Sequence, residues 1–249
     1  MLSLCFRGKM EIYFYILLFI IALLYASVGH GGASGYLALM GIWGISQVTA
    51  KPVALTLNCV VSFIAFVSFY KKGYFNWKLF LFLILGSIPF AYLGGSFSIS
   101  DKYYKIILGV LLFITSIRFF IPQKESEQIT APNWFYLIIT GAVIGFISGL
   151  IGIGGGIILS PFLLLMKWSD IKTTSGISAL FIFVNSIAGL FALFQKGFTY
   201  SSEMIVMASI TIVGGVIGSI IGSHFVTNAM LKKVLAFVLI VASIKLILV

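Results

Sequence analysis

Charged residues fall in widely spaced groups along the chain and leave long apolar runs between them. The charge-free runs are 12–50, 52–70, 79–100 and 106–117, then, after a polar stretch, 128–166, 173–195, 204–231 and 234–244. A helix that crosses the hydrocarbon core needs about 20 apolar residues. Each half therefore opens with a run too long for one upright crossing, continues with two runs of crossing length, and closes with a short run that flanking Lys or Arg can extend by snorkelling. The same rhythm twice over predicts an all-α polytopic membrane protein, one transmembrane domain over 1–249. Two homologous halves, 12–121 and 134–249, are joined by the polar linker 122–133, whose Pro122 and Pro132 stop either flanking helix from continuing through it.

The residues follow the rhythm. A shift of about 123 places Gly29, Gly31 and Gly32 on Gly152, Gly154 and Gly155, Ser46 on Ser169, Val48 on Ile171 and Ser62 on Asn185. With small insertions, Lys72-Gly73-Tyr74 meets Lys196-Gly197-Phe198, and Gly94 and Phe97 meet Gly222 and Phe225.

The long opening runs carry the glycine clusters, Val28-Gly-His-Gly-Gly-Ala-Ser-Gly35 and Gly149-Leu-Ile-Gly-Ile-Gly-Gly-Gly156 with Ser160-Pro161 after it. Interior glycines destabilise a helix, and open backbone in a bilayer survives only under cover of protein or in a wet cavity. The clusters thus predict a helix break near the middle of each long run. Two arrangements satisfy this. Either the first helix of each half is interrupted and each half crosses four times, or the segments 34–46 and 157–167 cross back and each half crosses five times. An even count makes the halves parallel and an odd count makes them inverted. Both divide the sixteen basic residues nine to seven between the two sides, so the positive-inside rule does not choose. The expectation adopted is about eight crossings with an interrupted first helix in each half.

Composition sharpens the class. The chain is 61% hydrophobic and 9% charged, with a mean hydropathy of +1.17; a soluble domain carries about 25% charged residues. The net charge of +10 does not indicate nucleic acid, because the lysines pair at run ends (Lys71 and Lys72, Lys102 and Lys105, Lys232 and Lys233), where they meet lipid headgroups. Cys5 and Cys59 form no framework. Residues 1–26 have the look of a signal peptide, yet the glycine motif that follows has a partner in the second half and needs the helix before it, so cleavage is not expected.

Nothing suits hydrolysis or group transfer. The six acids, Glu11, Asp101, Glu125, Glu127, Asp170 and Glu203, lie at or beyond run ends, and no metalloprotease, nucleophile-elbow or phosphate-loop motif occurs. The chain is read as not an enzyme, with no cofactor and no metal. Gly141/Gly145/Gly149 and Gly214/Gly218/Gly222 fit close helix packing, whereas four glycines in five residues at Gly152–Gly156 exceed what packing needs. Unwound backbone and a resuming helix N-terminus attract anions. A pocket lined by the two breaks would be apolar-walled, rich in amide and hydroxyl donors and poor in acids.

The candidate substrate-binding residues are therefore Gly29, His30, Gly31, Gly32 and Ser34 in the first cluster, Gly152, Gly154, Gly155, Gly156 and Ser160 in the second, and the repeat-matched pair Ser62 and Asn185. Asn58, Ser178 and Gln195 are further polar positions within spans, where interhelical hydrogen bonding also explains them. His30 lies mid-run between glycines; it is either a buried neutral ring bonded to a carbonyl or a proton-responsive donor to an anion. Lys51 is a second group that can attract anions, or an interfacial anchor. Substitution at Gly154 or Gly155 is expected to damage function more than substitution at Gly214 or Gly218.

The two glycine motifs, the length, the duplicated halves and the polar linker together resemble the sulfite exporter TauE/SafE family, also called the toluene sulfonate uptake permease family. The resemblance covers essentially the whole chain. It implies a secondary transporter of the bacterial inner, cytoplasmic membrane that moves a small anion, such as sulfite or an organosulfonate, with proton coupling. Its partners would be that anion and the lipid bilayer, with no nucleic acid; a homo-oligomer is compatible with it. An anion channel or a non-transporting membrane scaffold subunit is the alternative.

Overall fold

A computed structural model describes residues 12–120, 129–198 and 202–224, together with residues 240, 243 and 244. Most of the linker 122–133 and of the closing run 234–244 lies outside the described residues. Helices account for the regular structure: α1 (Ile12–Ser27), α2 (Ala33–Ile42), α3 (Gln47–Lys71), α4 (Trp77–Ser96), α5 (Asp101–Phe120), α6 (Trp134–Ile151), α7 (Gly156–Leu165), α8 (Ile171–Phe194) and α9 (Ser202–His224). Five of them, α3, α4, α6, α8 and α9, are long and apolar enough to cross a bilayer, in keeping with a multi-pass membrane protein.

Polar residues set several starts. Asn76 Oδ1 accepts the Leu79 N–H at 3.2 Å, Asn133 Oδ1 accepts the Phe135 N–H at 3.0 Å, and Asp170 Oδ1 accepts the Thr173 N–H at 2.9 Å, each satisfying a donor that a helix start leaves open. Along α1 the buried side chains Phe14, Leu18, Ile21, Ala22 and Tyr25 recur at helical spacing, while Ile12, Tyr13, Ile16, Leu17 and Ile20 are exposed. Leu81, Leu85, Ile88 and Leu93 make a similar outward face on α4. Exposed aliphatic faces of this extent are faces for lipid.

The helices pack in the spatial order α1, α9, α3, α8, α4, α6, with α2 against α3 and α7 against α8. Two contacts are made by bare backbone. Gly141, Gly145 and Gly149 of α6 face the carbonyls of Leu83, Ser87 and Ala91 in α4, and Gly86 and Gly94 of α4 face the carbonyls of Ile138 and Phe146 in return. Gly214, Gly218 and Gly222 of α9 face the carbonyls of Phe19, Leu23 and Ser27 in α1. Residue numbers rise together in both pairs, so the helices of each pair run parallel.

This changes the expectation for the packing glycines. A Cβ at Gly218 would press on the Leu23 carbonyl oxygen, and one at Gly222 on that of Ser27. Backbone cannot swing aside as a side chain can, so substitution here separates α1 from α9 and disturbs folding itself. Both classes of glycine are intolerant, for different reasons.

The glycine breaks also act differently from an interruption within one crossing. Each reverses the chain. Trp43, just past α2, packs edge-on against Phe14 in the first turn of α1, with ring centroids 5.5 Å apart. Thr130, shortly before α6, donates its N–H to the carbonyl of Lys167, just past α7, at 2.9 Å. The start of each long helix thus lies beside the end of its short successor, and α1–α2 and α6–α7 are helical hairpins with glycine at their tips. Positive φ at Gly29 (76°) and Gly32 (97°), and at Gly152 (86°), Gly154 (72°) and Gly155 (80°), makes the reversals; L side chains adopt such angles at a cost that glycine avoids.

Thr130→Cys and Lys167→Cys, each in a chain with Cys5 and Cys59 replaced by Ala, are expected to react with an impermeant maleimide from the same side of sealed vesicles. Reaction from opposite sides would mean that residues 128–166 cross once and that the hairpin is wrong.

Candidate functional site

The tips of the two hairpins meet at the middle of α3. Asn58 is fully buried there. Its Oδ1 accepts the N–H of Ala33, the first residue of α2, at 3.1 Å, and its Nδ2 donates to Ser186 Oγ of α8 at 2.9 Å and lies 3.5 Å from the Ile153 carbonyl of the second break. One amide thereby touches both breaks, with its acceptor on the first and its donors toward the second. Gly31 and Gly154 lie directly against it: a Cβ at Gly31 would meet Asn58 Oδ1, and one at Gly154 would meet Asn58 Nδ2, with Ile182 Cγ2 and Ser186 Oγ each 2.9 Å away. Glycine is required at both positions by the closeness of Asn58, and at Gly154 by its φ of 72° as well.

His30 extends from the first tip into the second hairpin. Its Nδ1 is 3.0 Å from the Val28 carbonyl, and its Nε2 is 3.2 Å from the Gly156 carbonyl and 3.1 Å from Ser160 Oγ, which is in turn 2.7 Å from Ser178 Oγ of α8. A neutral imidazole has one N–H and can donate to one of the two carbonyls, whereas an imidazolium can donate to both. With Nδ1 protonated and Nε2 bare, Ser160 must turn its hydrogen toward the ring and accept from Ser178. Gaining a proton at Nε2 frees Ser160 to donate to Ser178. The proton on one ring nitrogen therefore sets the direction of a two-hydroxyl chain. Asp170 is exposed and Glu203 half-buried, and no acid lies in the tips 28–34 and 151–156.

The other expected site residues fall as follows. Gly29 packs on Ser175 of α8, Gly32 on the Tyr36 ring, Gly155 on Phe181, and Gly156 on Ile182. Gly152 packs on the Lys51 stem, where an added Cβ would come within 3.2 Å of Lys51 Cγ. Ser34 Oγ pairs with the Tyr25 hydroxyl at 2.8 Å. Ser62 and Asn185 are buried but bond back into their own helices, Ser62 Oγ to the Cys59 carbonyl at 3.4 Å and Asn185 Nδ2 to the Phe181 carbonyl at 2.8 Å. Neither makes a hydrogen bond to a glycine break. Asn58, which sequence reasoning treated as interhelical glue, takes the position expected for Ser62, and Ser186 was missed beside Asn185. The signal that could have found Asn58 is its place, one turn before Ser62, facing two backbones that both need partners.

Carbonyls freed at the end of α6 are also covered. Lys51 Nζ donates to the Leu150 carbonyl at 2.7 Å and the Tyr104 hydroxyl donates to that of Ile151 at 3.0 Å. A cation at a helix C-terminus is favourable. Near the breaks the hydroxyls of Tyr36 and Ser148, both buried, are without a hydrogen-bond partner, as is Asn185 Oδ1. Two hydroxyl donors held in the dry interior without an acceptor are costly unless something brings one. Residues 24–40 and 151–156 are all buried, so the tips are sealed from solvent.

A family model described as sulfite exporter TauE/SafE matches residues 14–246. The chain is 37% identical to a probable membrane transporter protein of Sinorhizobium fredii over 92% of its own length and 94% of that protein's. It is 26% identical to one of Bacillus subtilis, covering 88% of this chain and 92% of the relative, and 28% identical to one of Methanocaldococcus jannaschii, covering 73% and 74%. No solved structure matches.

Asn58→Leu keeps the volume and removes the partner of the Ala33 N–H and of Ser186. It is expected to destabilise the protein by about 1–3 kcal/mol, the cost of a buried polar group left unpaired. A lowered midpoint of thermal unfolding in detergent would register this, and an unchanged midpoint would remove Asn58 from its central place.

Proposed function

From the membership of the chain in the sulfite exporter TauE/SafE family of membrane transporters, we propose that it is a secondary transporter of a small anion, a sulfur-containing oxyanion or organosulfonate, in the cytoplasmic membrane. The observation that carries the reading is the meeting of two glycine tips around Asn58 and His30, with the Tyr36 and Ser148 hydroxyls unpartnered beside them. Such a site offers donors, apolar walls and no buried carboxylate, which suits an anion and disfavours a cation. The substrate would be bound by the glycine clusters, His30, Ser34 and Ser160, with Asn58 holding the tips in register. Ser62 and Asn185 would line the approach.

The architecture we infer is an inverted repeat of five segments per half, nine of which fall among the described residues. Corresponding bonds support it. The His30 N–H goes to the Tyr25 carbonyl and the Ile153 N–H to that of Ser148; the Tyr36 N–H goes to Gly32 and the Leu159 N–H to Gly155. Each pair is related by the same shift of 123. The packing order α1, α9, α3, α8, α4, α6 reads the same backwards once each helix is replaced by its repeat partner. Hairpins entering from opposite faces, with tips that meet near the midplane, provide two movable halves around one site, the arrangement alternating access needs. The sealed tips favour a carrier caught closed over a channel with a continuous wet pore.

Proton coupling is assigned to His30, because its protonation reverses the Ser160–Ser178 hydroxyl chain at the second tip. Two outcomes are expected from purified protein in liposomes. Under a pH gradient at least one of sulfite, sulfate and short organosulfonates should move, and indifference to all of them would defeat the reading. His30→Gln should leave a folded protein whose flux is lowered and no longer varies with pH; a parental pH profile would take the coupling away from His30.

A further inference from the structure

We propose that a cavity at the membrane face where α3 begins and α4 and α8 end is a second, outer anion site, and that Lys51 couples it to the second glycine tip. The cavity has a volume of about 310 Å³, and its wall includes Lys51, Lys196 and Ser98 with Phe97, Ile99 and Leu193. Two lysine side chains therefore line one concave space with no acid among the lining residues. Lys196 Nζ is held by Ser98 Oγ at 3.0 Å and by the Gly95 carbonyl at 3.4 Å. Lys51 is nearly buried, 7% exposed.

The rest of the wall is mainly apolar, with Val48, Pro52 and Phe198 beside the residues already named, and Gln47 and Thr49 at the start of α3 add two polar side chains. Two cations and a hydroxyl at one place, with apolar surface around them, fit an organic anion that has one strongly charged head and a short apolar body, in a space of ordinary ligand-pocket size. A bare inorganic oxyanion would leave the apolar surface wet. Sulfonate and carboxylate heads share this chemistry.

Lys51 has a role in both places. Its ammonium donates to the Leu150 carbonyl and its stem packs on Gly152 at the second tip. An anion in the cavity competes with that carbonyl for the ammonium. As the ammonium turns to the anion, the end of α6 loses its cap and the second tip is loosened, so occupation of the outer site is signalled to the inner one. This rests on the reading of the chain as an anion carrier, but it is tested without flux.

Ser98→Cys, with Cys5 and Cys59 replaced by Ala, is placed in nanodiscs and treated with methanethiosulfonates that differ in charge. The anionic sulfonatoethyl reagent is expected to react about tenfold faster than the cationic trimethylammonioethyl one. Adding Lys196→Gln, and separately Lys51→Met, should bring the ratio toward one, so that a folding defect in either variant leaves the other to decide. Butanesulfonate should slow the reaction and sulfate at the same concentration should not, while pentanoate reports whether the head must be a sulfonate. Hydrogen exchange at 149–156 should rise when butanesulfonate is added to the parent and stay unchanged in Lys51→Met. Equal rates for the two reagents would overturn the site, equal protection by sulfate would overturn the organic ligand, and unaltered exchange in the parent would overturn the coupling. If the site passes while liposomes move no anion, the transport reading alone falls.

Discussion

Backbone groups opened in the middle of a bilayer have no water to bond, and each one left unsatisfied costs several kcal/mol. This chain opens two helices at the same place. The hairpin tips can exist because they satisfy one another through a few side chains: Asn58 takes the first amide of α2 and faces the Ile153 carbonyl, His30 spans from Val28 to Gly156, and Lys51 and Tyr104 cover the last carbonyls of α6. Close helix packing follows from the same need. Only if α3 and α8 pass tightly beside the tips can Asn58 and Ser186 reach them, and glycine at 31 and 154 is what permits that approach.

The cost of the arrangement is offset by burial and by backbone-to-backbone packing elsewhere. Glycines of α6 and α4, and of α9 facing α1, bring whole helices close enough for carbonyls to lie against Cα hydrogens. Such contacts replace a hydrophobic driving force that lipid does not supply between helices. The same residue type thus acts in two ways in one chain: at the tips it gives angles and proximity, and along α4, α6 and α9 it gives a smooth face.

Much of this was legible in the sequence. Run lengths and the glycine clusters located the breaks, and the shift of 123 that aligned Gly29 with Gly152 and Gly32 with Gly155 now relates residues with matching φ and hydrogen bonds. The reversal was not legible, because 39 apolar residues suit an interrupted crossing as well as a hairpin and the basic residues divide nine to seven under both. What distinguishes them is a pair of long-range contacts, Phe14 with Trp43 and Thr130 with Lys167. Asn58 was legible as a polar residue in a span but not as the hinge of the site. Its importance comes from what two distant segments bring to it, whereas the repeat pattern singles out Ser62, which matches Asn185.

The pairing of α1 with α9 and of α4 with α6 has a consequence for how the protein is made. The first half of the chain emerges with the glycine face of α4 before its partner α6 is synthesised, and with the α1 carbonyls of Phe19, Leu23 and Ser27 open until α9 arrives. Neither half can close on itself, since α4 packs on α6 and α1 on α9 across the two halves. Assembly must wait until nearly the whole chain is in the membrane, and during that interval the open breaks are at their most vulnerable to wrong partners.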